Sequence, residues 1–374
     1  MNIKLEAENL CRSLFSRMAW EYQCKPLLQM NDIKLSLGTE RTLEKLISSF
    51  ESVEVANSFV QQYKPYYEQV LLCGNRTLKV FQLNEEHFNQ IKSVCTDVDI
   101  FKGVDTDFFP YYIDTDRIQE LDIIPKLTNI KFDTDDEGNE KVYFYFSTNR
   151  SITEKHDLNA SVFEDNQAIV DFLENYSKVT AYTDKFRQYI DIVCLNEKDH
   201  TIEIRLDTSS AVAKKDIDLL FTQIEEAFIS SIPKKIKFSI FKQQINFFPW
   251  IQGLYADTNC RVVELSFTTD DGYIHNERER SSTKNGDVRN GEFHMGGAEK
   301  CDINPYRISA RWKGNFSTEI EYEYEMSLNS NVRELSNPTQ RALYHAIISQ
   351  CPSEKDLDSL LAILKKKNEK TATN

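Results

Sequence analysis

The chain has 374 residues, of which 40% are hydrophobic and 28% are charged, a composition typical of globular proteins and unlike that of disordered chains. Its 45 lysines and arginines against 59 aspartates and glutamates give a net charge of −14, so the average surface repels nucleic acids and acidic membranes. No apolar run approaches the roughly 18–20 residues of a membrane-spanning helix, and the polar first ten residues do not resemble a signal peptide.

The eight cysteines are scattered along the chain and form no CxxC pair. This spacing predicts reduced thiols and a cytoplasmic protein. Lysine, asparagine, isoleucine and phenylalanine are abundant, as in proteins from AT-rich microbial or phage genomes. Antiviral defence in phage–host conflict is therefore a hypothesis for the biological setting.

Apolar residues at helical spacing, such as Leu5, Leu10 and Leu14, predict that the chain begins with helices. A helix over 53–72 is expected to kink or end at Pro65, because proline removes a backbone hydrogen bond. A further helix over 84–95 is expected, with Asn84 as its N-cap. These elements define a mainly helical N-terminal domain, 1–110.

A change of composition follows at 97–140, which holds thirteen acids against four basic residues. Strand patterns come next, and turn-rich segments between them predict two hairpins. The predicted strands are 129–132 with 141–147, and 189–195 with 201–207. Helices are predicted at 165–176 and 213–230, so that 111–335 is an α+β sheet domain.

A third β region is predicted at 261–268, and it is interrupted by a long polar loop, 269–303, that is expected to protrude. It resumes at 306–313 and 318–328. A turn near Gly314-Asn315 would place Arg311 opposite Glu319 and Arg307 opposite Glu323, as cross-strand ion pairs.

The chain is predicted to end in a helical pair and a basic tail, 336–374. Asn337-Pro338 begins the first helix, Cys351-Pro352 ends it, and Ser353 caps the second. The fold class is therefore α+β, with a helical N-terminal region, a mainly antiparallel sheet body with packed helices, and a C-terminal helical pair.

One pattern comes closest to catalytic chemistry, that of a metal-dependent nuclease. Asp191 and Glu203 lie on adjacent predicted strands, and Glu203-Ile-Arg205 occupies the place of an acidic-x-lysine motif that would hold Mg²⁺. However, Arg205 cannot release a proton as lysine can. The alternation of Ile202, Ile204 and Leu206 also predicts that Glu203 and Arg205 are ordinary solvated residues.

A zinc site is a weaker alternative. Cys260, His275, His294 and Cys301 bracket the polar loop, but their spacings match no familiar zinc module. No cofactor and no metal are therefore predicted.

The segment between Glu226 and Asp257 contains no acid. Its lysines alternate with aromatic residues, a combination that can neutralise phosphates and stack on bases. The alternative is that the aromatic rings belong to the core. The polar loop adds further cations. The candidate binding residues are Lys234, Lys235, Lys237, Lys242, Trp250, Arg278, Arg280, Lys284 and Arg289.

Two functions are consistent with these sequence patterns. The favoured one is a non-catalytic binding or adaptor protein that recognises a macromolecular partner through 234–250 and 273–300, since long polar loops on a rigid sheet often carry binding residues. The expected partner is another protein subunit, with weak or no nucleic-acid binding and no membrane binding. The alternative is a divergent Mg²⁺-dependent nuclease that uses Asp191 and Glu203.

Overall fold

The structure is a computed structural model, and it describes the chain with short gaps. The described residues are 2–96, 104–113, 117–135, 137–158, 166–176, 178–210, 212, 214–232, 236–280, 285–317, 320–336 and 341–371. Among these residues, no helix is both long enough and apolar enough to span a bilayer.

The N-terminal region is helical, as predicted. Its helices are α1 (Ile3–Arg17), α2 (Lys25–Met30), α3 (Thr39–Ser49) and α4 (Val53–Cys73), and α5 (Glu85–Cys95) follows the first strand. Asn84 caps α5 by accepting a hydrogen bond from the amide of His87. Of the two outcomes expected at Pro65, a kink or an end of the helix, the end does not occur, because α4 continues through that residue with Tyr63 and Tyr67 buried.

Ten antiparallel strands form one sheet, which confirms the α+β class. In chain order the strands are β1 (Arg76–Gln82), β2 (Lys126–Thr134), β3 (Glu140–Leu158), β4 (Val179–Asn196), β5 (Thr201–Asp207), β6 (Arg261–Thr269), β7 (Ile274–Arg278), β8 (Ile303–Ser317), β9 (Ile320–Asn329) and β10 (Ala346–Ser349). Their order across the sheet is β2-β3-β4-β5-β1-β10-β9-β8-β6-β7.

Both predicted hairpins are present. β2 pairs with β3 and β4 pairs with β5, each antiparallel. β3 and β4 are longer than predicted, because they continue as a two-stranded ribbon as far as the pair Leu158 and Val179. α6 (Gln167–Glu174) lies between them in the chain, and α7 (Ile217–Ser231) follows β5.

Helices cover most of one face of the sheet and part of the other, whereas the outer parts of β3 and β4 are exposed or half-buried. On the first face, the N-terminal helices pack on β3 and β4. α8 (Pro249–Tyr255) and α11 (Glu354–Thr371) pack on β1, β10, β9, β8 and β6, which are neighbours in the sheet. On the second face, α5 and α7 cover the half that contains β3, β4 and β5. Near β6, β8 and β9 the second face carries polar residues, among them Ser309, Arg311 and Glu325.

All three predicted domains contribute strands to this sheet. β1 comes from 1–110, β10 comes from 336–374, and the other eight strands come from 111–335. The three-domain division remains a prediction.

Among its described residues, the C-terminal region contains two helices, but one of them is not where it was predicted. α10 spans Val332–Ser336, and α11 begins at Glu354 after the predicted cap Ser353. Asn337-Pro338 lies outside the described residues, and 346–349 is strand β10 rather than helix. β10 bridges β1 and β9, so pairing on both sides decides its conformation.

The predicted register of β8 and β9 is wrong. Arg311 lies opposite Glu325 and Arg307 lies opposite Asn329. Arg311 nevertheless forms an ion pair with its actual partner, at 2.7 Å from Nε to Oε2. The prediction fails because Gly314 does not lie in a turn but inside β8, opposite Tyr322.

The ring of Tyr322 explains why glycine occupies position 314. A Cβ atom added there would lie 2.4 Å from Cζ of Tyr322, whose hydroxyl donates a hydrogen bond to Asp356 at 3.0 Å. We expect Gly314→Ala to lower the free energy of unfolding by about 1–3 kcal/mol, because the ring must move. Urea unfolding would measure this change.

Gly297→Ala is the matched control, because a Cβ at Gly297 would meet no atom within 4 Å. It should leave stability unchanged or raise it, since Gly297 lies in the helix α9 (Glu292–Ala298). Equal loss of stability in the two variants would contradict the role given to Tyr322.

Candidate partner-binding surface

The described part of the lysine–aromatic segment has Phe247, Phe248 and Trp250 in the core. Lys234, Lys235 and Lys284 lie outside the described residues, whereas Lys237 and Lys242 are exposed. Trp250 is only 3% exposed and packs edge-to-face on Phe247 with 4.6 Å between ring centroids. The alternative weighed from the sequence, that these rings belong to the core, is therefore correct for Trp250.

The two carboxylates of the nuclease hypothesis do not converge. Glu203 lies opposite Cys194, on the face that carries the N-terminal helices. Alternation along β4 places Asp191 on the opposite face, with Val193. Asp191 is fully buried, where it forms an ion pair with Arg150 and accepts a hydrogen bond from the amide of Asp207.

Glu203 and Arg205 are also buried, which contradicts the expectation that they are solvated. Arg205 donates from Nη2 to Glu203 at 2.6 Å, and from Nη1 and Nη2 to the carboxylate of Glu354 at 2.7 and 2.8 Å. Lys141 contacts Glu354 at 3.0 Å from the other side. We call Lys141, Glu203, Arg205 and Glu354 the buried ion cluster.

The pKa of Glu354 reflects its contacts within this cluster. Burial alone would raise the pKa of Glu354, but Arg205 and Lys141 lower it to about 2. Each charged group in the buried ion cluster therefore contacts a group of opposite charge and has little exposed surface. The carboxylates of Glu203 and Glu354 are bound by cationic side chains of the protein itself.

The two histidines of the zinc alternative both lie against the ring of Phe267, but they make different contacts. His294 contacts the hydroxyl of Tyr255 through Nε2 and the carboxylate of Glu277 through Nδ1, whereas His275 stacks on Phe267. Within the part of the chain that the structure describes, no three histidine, cysteine or acidic residues form a group that could hold a metal ion.

The segment 269–303 has more structure than a loop. It contains β7 and α9, and His294 is its one buried side chain among the described residues. His294 anchors α9 to the sheet through hydrogen bonds of 2.9 Å to Tyr255 and 2.7 Å to Glu277. The exposed residues of the segment are thus presented on a fixed framework.

Arg289 belongs to that framework. Its guanidinium donates to the backbone carbonyls of Tyr255, Asp257 and Cys260 at 2.6–2.9 Å. It also forms an ion pair with Asp287 at 2.7 Å. Arg289 was a candidate binding residue, but the structure assigns its donors to the protein itself.

Large apolar side chains are exposed around β7. They are Tyr273 (67% exposed), Ile274 (55%), Phe293 (74%) and Met295 (47%), and we call these four residues the edge patch. Phe293 lies beside His275, at 6.3 Å between ring centroids. The sequence indicated a recognition surface at 273–300 from its charges, but the apolar residues of the edge patch were not singled out.

Two arginines add positive charge beside the edge patch. Arg278 is 80% exposed and Arg280 is also exposed. The acidic residues that alternate with these arginines form ion pairs within the protein. Glu277 pairs with His294, and Glu279 pairs with Arg261 at 3.2 Å. Positive charge is therefore exposed at the end of β7 that carries Arg278 and Arg280, where Arg278 also lies 3.7 Å from Glu264. The turn before β7 carries the exposed acids Asp270 and Asp271.

A polar groove of about 600 Å³ continues from these arginines across the second face of the sheet. Four arginines and four glutamates line it. Arg261 pairs with Glu323 at 2.8 Å and Arg311 pairs with Glu325 at 2.7 Å, so most of this charge is neutralised within the groove.

Comparison with known proteins adds no family to this description. No protein-family model matches the chain, and no curated protein matches it significantly.

Proposed function

We propose that the chain is a non-catalytic binding protein that recognises a protein partner through the edge patch and the adjoining Arg278 and Arg280. The observation that supports this proposal best is the exposure of four large apolar side chains around one strand at the end of the sheet. By alternation Ile274 lies on the face of β7 opposite to His275 and the neighbouring Phe293, so the edge patch flanks this strand on both faces. Exposed apolar residues rimmed by polar ones are typical of protein-binding surfaces.

The rigidity of the surface also supports binding. The buried His294 and the hydrogen bonds of Arg289 hold β7, α9 and the end of α8 together. A surface that is ordered before binding loses little conformational entropy on association. Large apolar and arginine side chains are also frequent among the residues that dominate binding energy.

The chemistry of the buried charges favours binding over catalysis. Asp191, Glu203 and Arg205 each have an ion-pair partner and are almost completely buried, so a substrate would have to displace those partners. All eight cysteines are free thiols, which agrees with the cytoplasmic location that forms part of this proposal.

The test is a comparison of proteins that co-purify with the tagged full chain and with two variants from its native host. Phe293→Asp places a charge in the edge patch, and Leu219→Asp makes the same kind of change at a leucine of α7 that is 59% exposed. Quantitative mass spectrometry should find a partner whose recovery falls at least about tenfold with Phe293→Asp, the effect of losing one important contact.

The Leu219→Asp variant should recover that partner as the unmodified chain does. If every enriched protein is recovered equally with Phe293→Asp, or if no protein is enriched at all, the edge patch is not the binding surface.

A further inference from the structure

β7 has an open side, because it is the last strand of the sheet and pairs only with β6 among the described strands. The amide of Thr269 donates to the carbonyl of Tyr273 at 3.1 Å, and the amide of Glu279 donates to Val263 at 2.8 Å. Hydrogen bonding alternates along an antiparallel pair. The peptide groups of Ile274, Asn276 and Arg278 therefore point away from β6, toward the open side.

The other end of the sheet is protected in a way that β7 is not. β2 carries an irregularity in its pairing with β3 between Leu127 and Asn129, and it has lysines at 126 and 131. Bulges and lysines are common devices that prevent pairing at an exposed edge. The pairing of β7 with β6 is regular over all five residues, and β7 contains no lysine or proline.

The side chains of Ile274, Asn276 and Arg278 lie on the same face of β7, and all three are exposed. A strand added beside β7 would meet an apolar side chain at one end and a cationic one at the other. Arg280 continues the cationic end, while Glu277 and Glu279 are held by His294 and Arg261. Charge complementarity therefore favours acidic residues in the part of an added segment that lies beside Arg278 and Arg280.

We propose that β7 binds an extended acidic segment of the partner protein as an eleventh strand of the sheet. The main-chain groups of Ile274, Asn276 and Arg278 would bond to the added strand, and the edge patch and the two arginines would select its side chains. Addition of a strand to an open sheet edge is an established mode of peptide recognition. This inference rests on the proposed function and specifies the chemistry of the partner.

The decisive variant is Asn276→Pro, which removes one outward-pointing N–H. Proline is tolerated in an edge strand where its missing N–H faces away from the sheet, so the fold should persist. Asn276→Ala is the matched control, because it removes the side chain and keeps the N–H. Ile274→Pro is a second variant of the same kind, should Asn276→Pro unfold.

The probe is a displayed library of random twelve-residue peptides, selected on the full chain. The selected peptides should be rich in acidic and β-branched residues. Asn276→Pro should weaken their binding about tenfold or more, whereas Asn276→Ala should leave it unchanged. Arg278→Glu with Arg280→Glu should also abolish binding, and the same charge change at the exposed Lys237 and Lys242 should not.

Peptides that bind Asn276→Pro as tightly as the unmodified chain would overturn strand addition. If those peptides are lost with Phe293→Asp, the proposed binding surface stands and only its mode is wrong. A library that yields no binder, or binders that none of these substitutions affects, would overturn both proposals.

Discussion

Replacing Arg205 with alanine is expected to lower the free energy of unfolding by about 3–5 kcal/mol. The reason is that Glu203 and Glu354 would remain buried and would lose their shared cation. Arg205 itself has no exposed surface, so solvent cannot replace the lost contacts. Urea or thermal unfolding of the full chain would measure the loss.

Arg12→Ala is the control for this substitution. Arg12 forms an ion pair with Glu8 one helical turn away, and both side chains are about one-third exposed. Its loss should cost only about 0.3–0.5 kcal/mol. If Arg205→Ala were as mild as Arg12→Ala, the buried ion cluster would have no structural role.

Acid should destabilise the protein as pH falls from about 4.5 to about 2. The pKa of Glu354 is lowered to about 2 in the folded protein from an ordinary value of 4.5, so the unfolded chain binds a proton first as pH falls. Stability from this group is fully present above pH 4.5 and is lost as pH approaches 2. A shift of this size corresponds to about 3 kcal/mol.

The matched variant is Glu354→Gln, which removes the titrating group and keeps the shape of the side chain. Its stability should be lower at pH 7 and should depend less on pH between 4.5 and 2 than that of the unmodified chain. Identical pH profiles for the two proteins would show that Glu354 is not strongly coupled to Arg205 and Lys141.

Local patterns were sufficient to predict several elements of the fold. The turn-rich segments between apolar runs located the hairpins β2–β3 and β4–β5, because turn residues and alternation are properties of short stretches of chain. α7 was located by its apolar face, which includes Phe221, Ile224 and Phe228.

The errors arose where distant parts of the chain decide the structure. Glu203 and Arg205 look like solvated residues until α11, about 150 positions later, places Glu354 over them. Gly314 looks like a turn residue until the ring of Tyr322 lies against it. β10 has a short apolar pattern that suits either a helix or a strand, and its pairing with β1 and β9 settles the matter.

The sequence predicted only part of the candidate surface, because residues distant in the chain decide which side chains are exposed. Composition indicated 273–300 as a recognition segment, but the exposure of Phe293 and Met295 depends on how His294 anchors α9 to Glu277 and Tyr255. Trp250 was proposed as a binding residue, and its burial follows from the packing of α8 on the sheet.

The most direct test of the binding surface is amide hydrogen exchange at single-residue resolution, on the full chain alone and with its co-purified partner. In the free chain, Ile274, Asn276 and Arg278 should exchange quickly, while His275 and Glu277, bonded to β6, should exchange slowly. Partner binding should slow the first three amides and leave the other two unchanged. Protection of all five amides in the free chain, or no change at β7 when the partner binds, would contradict the account.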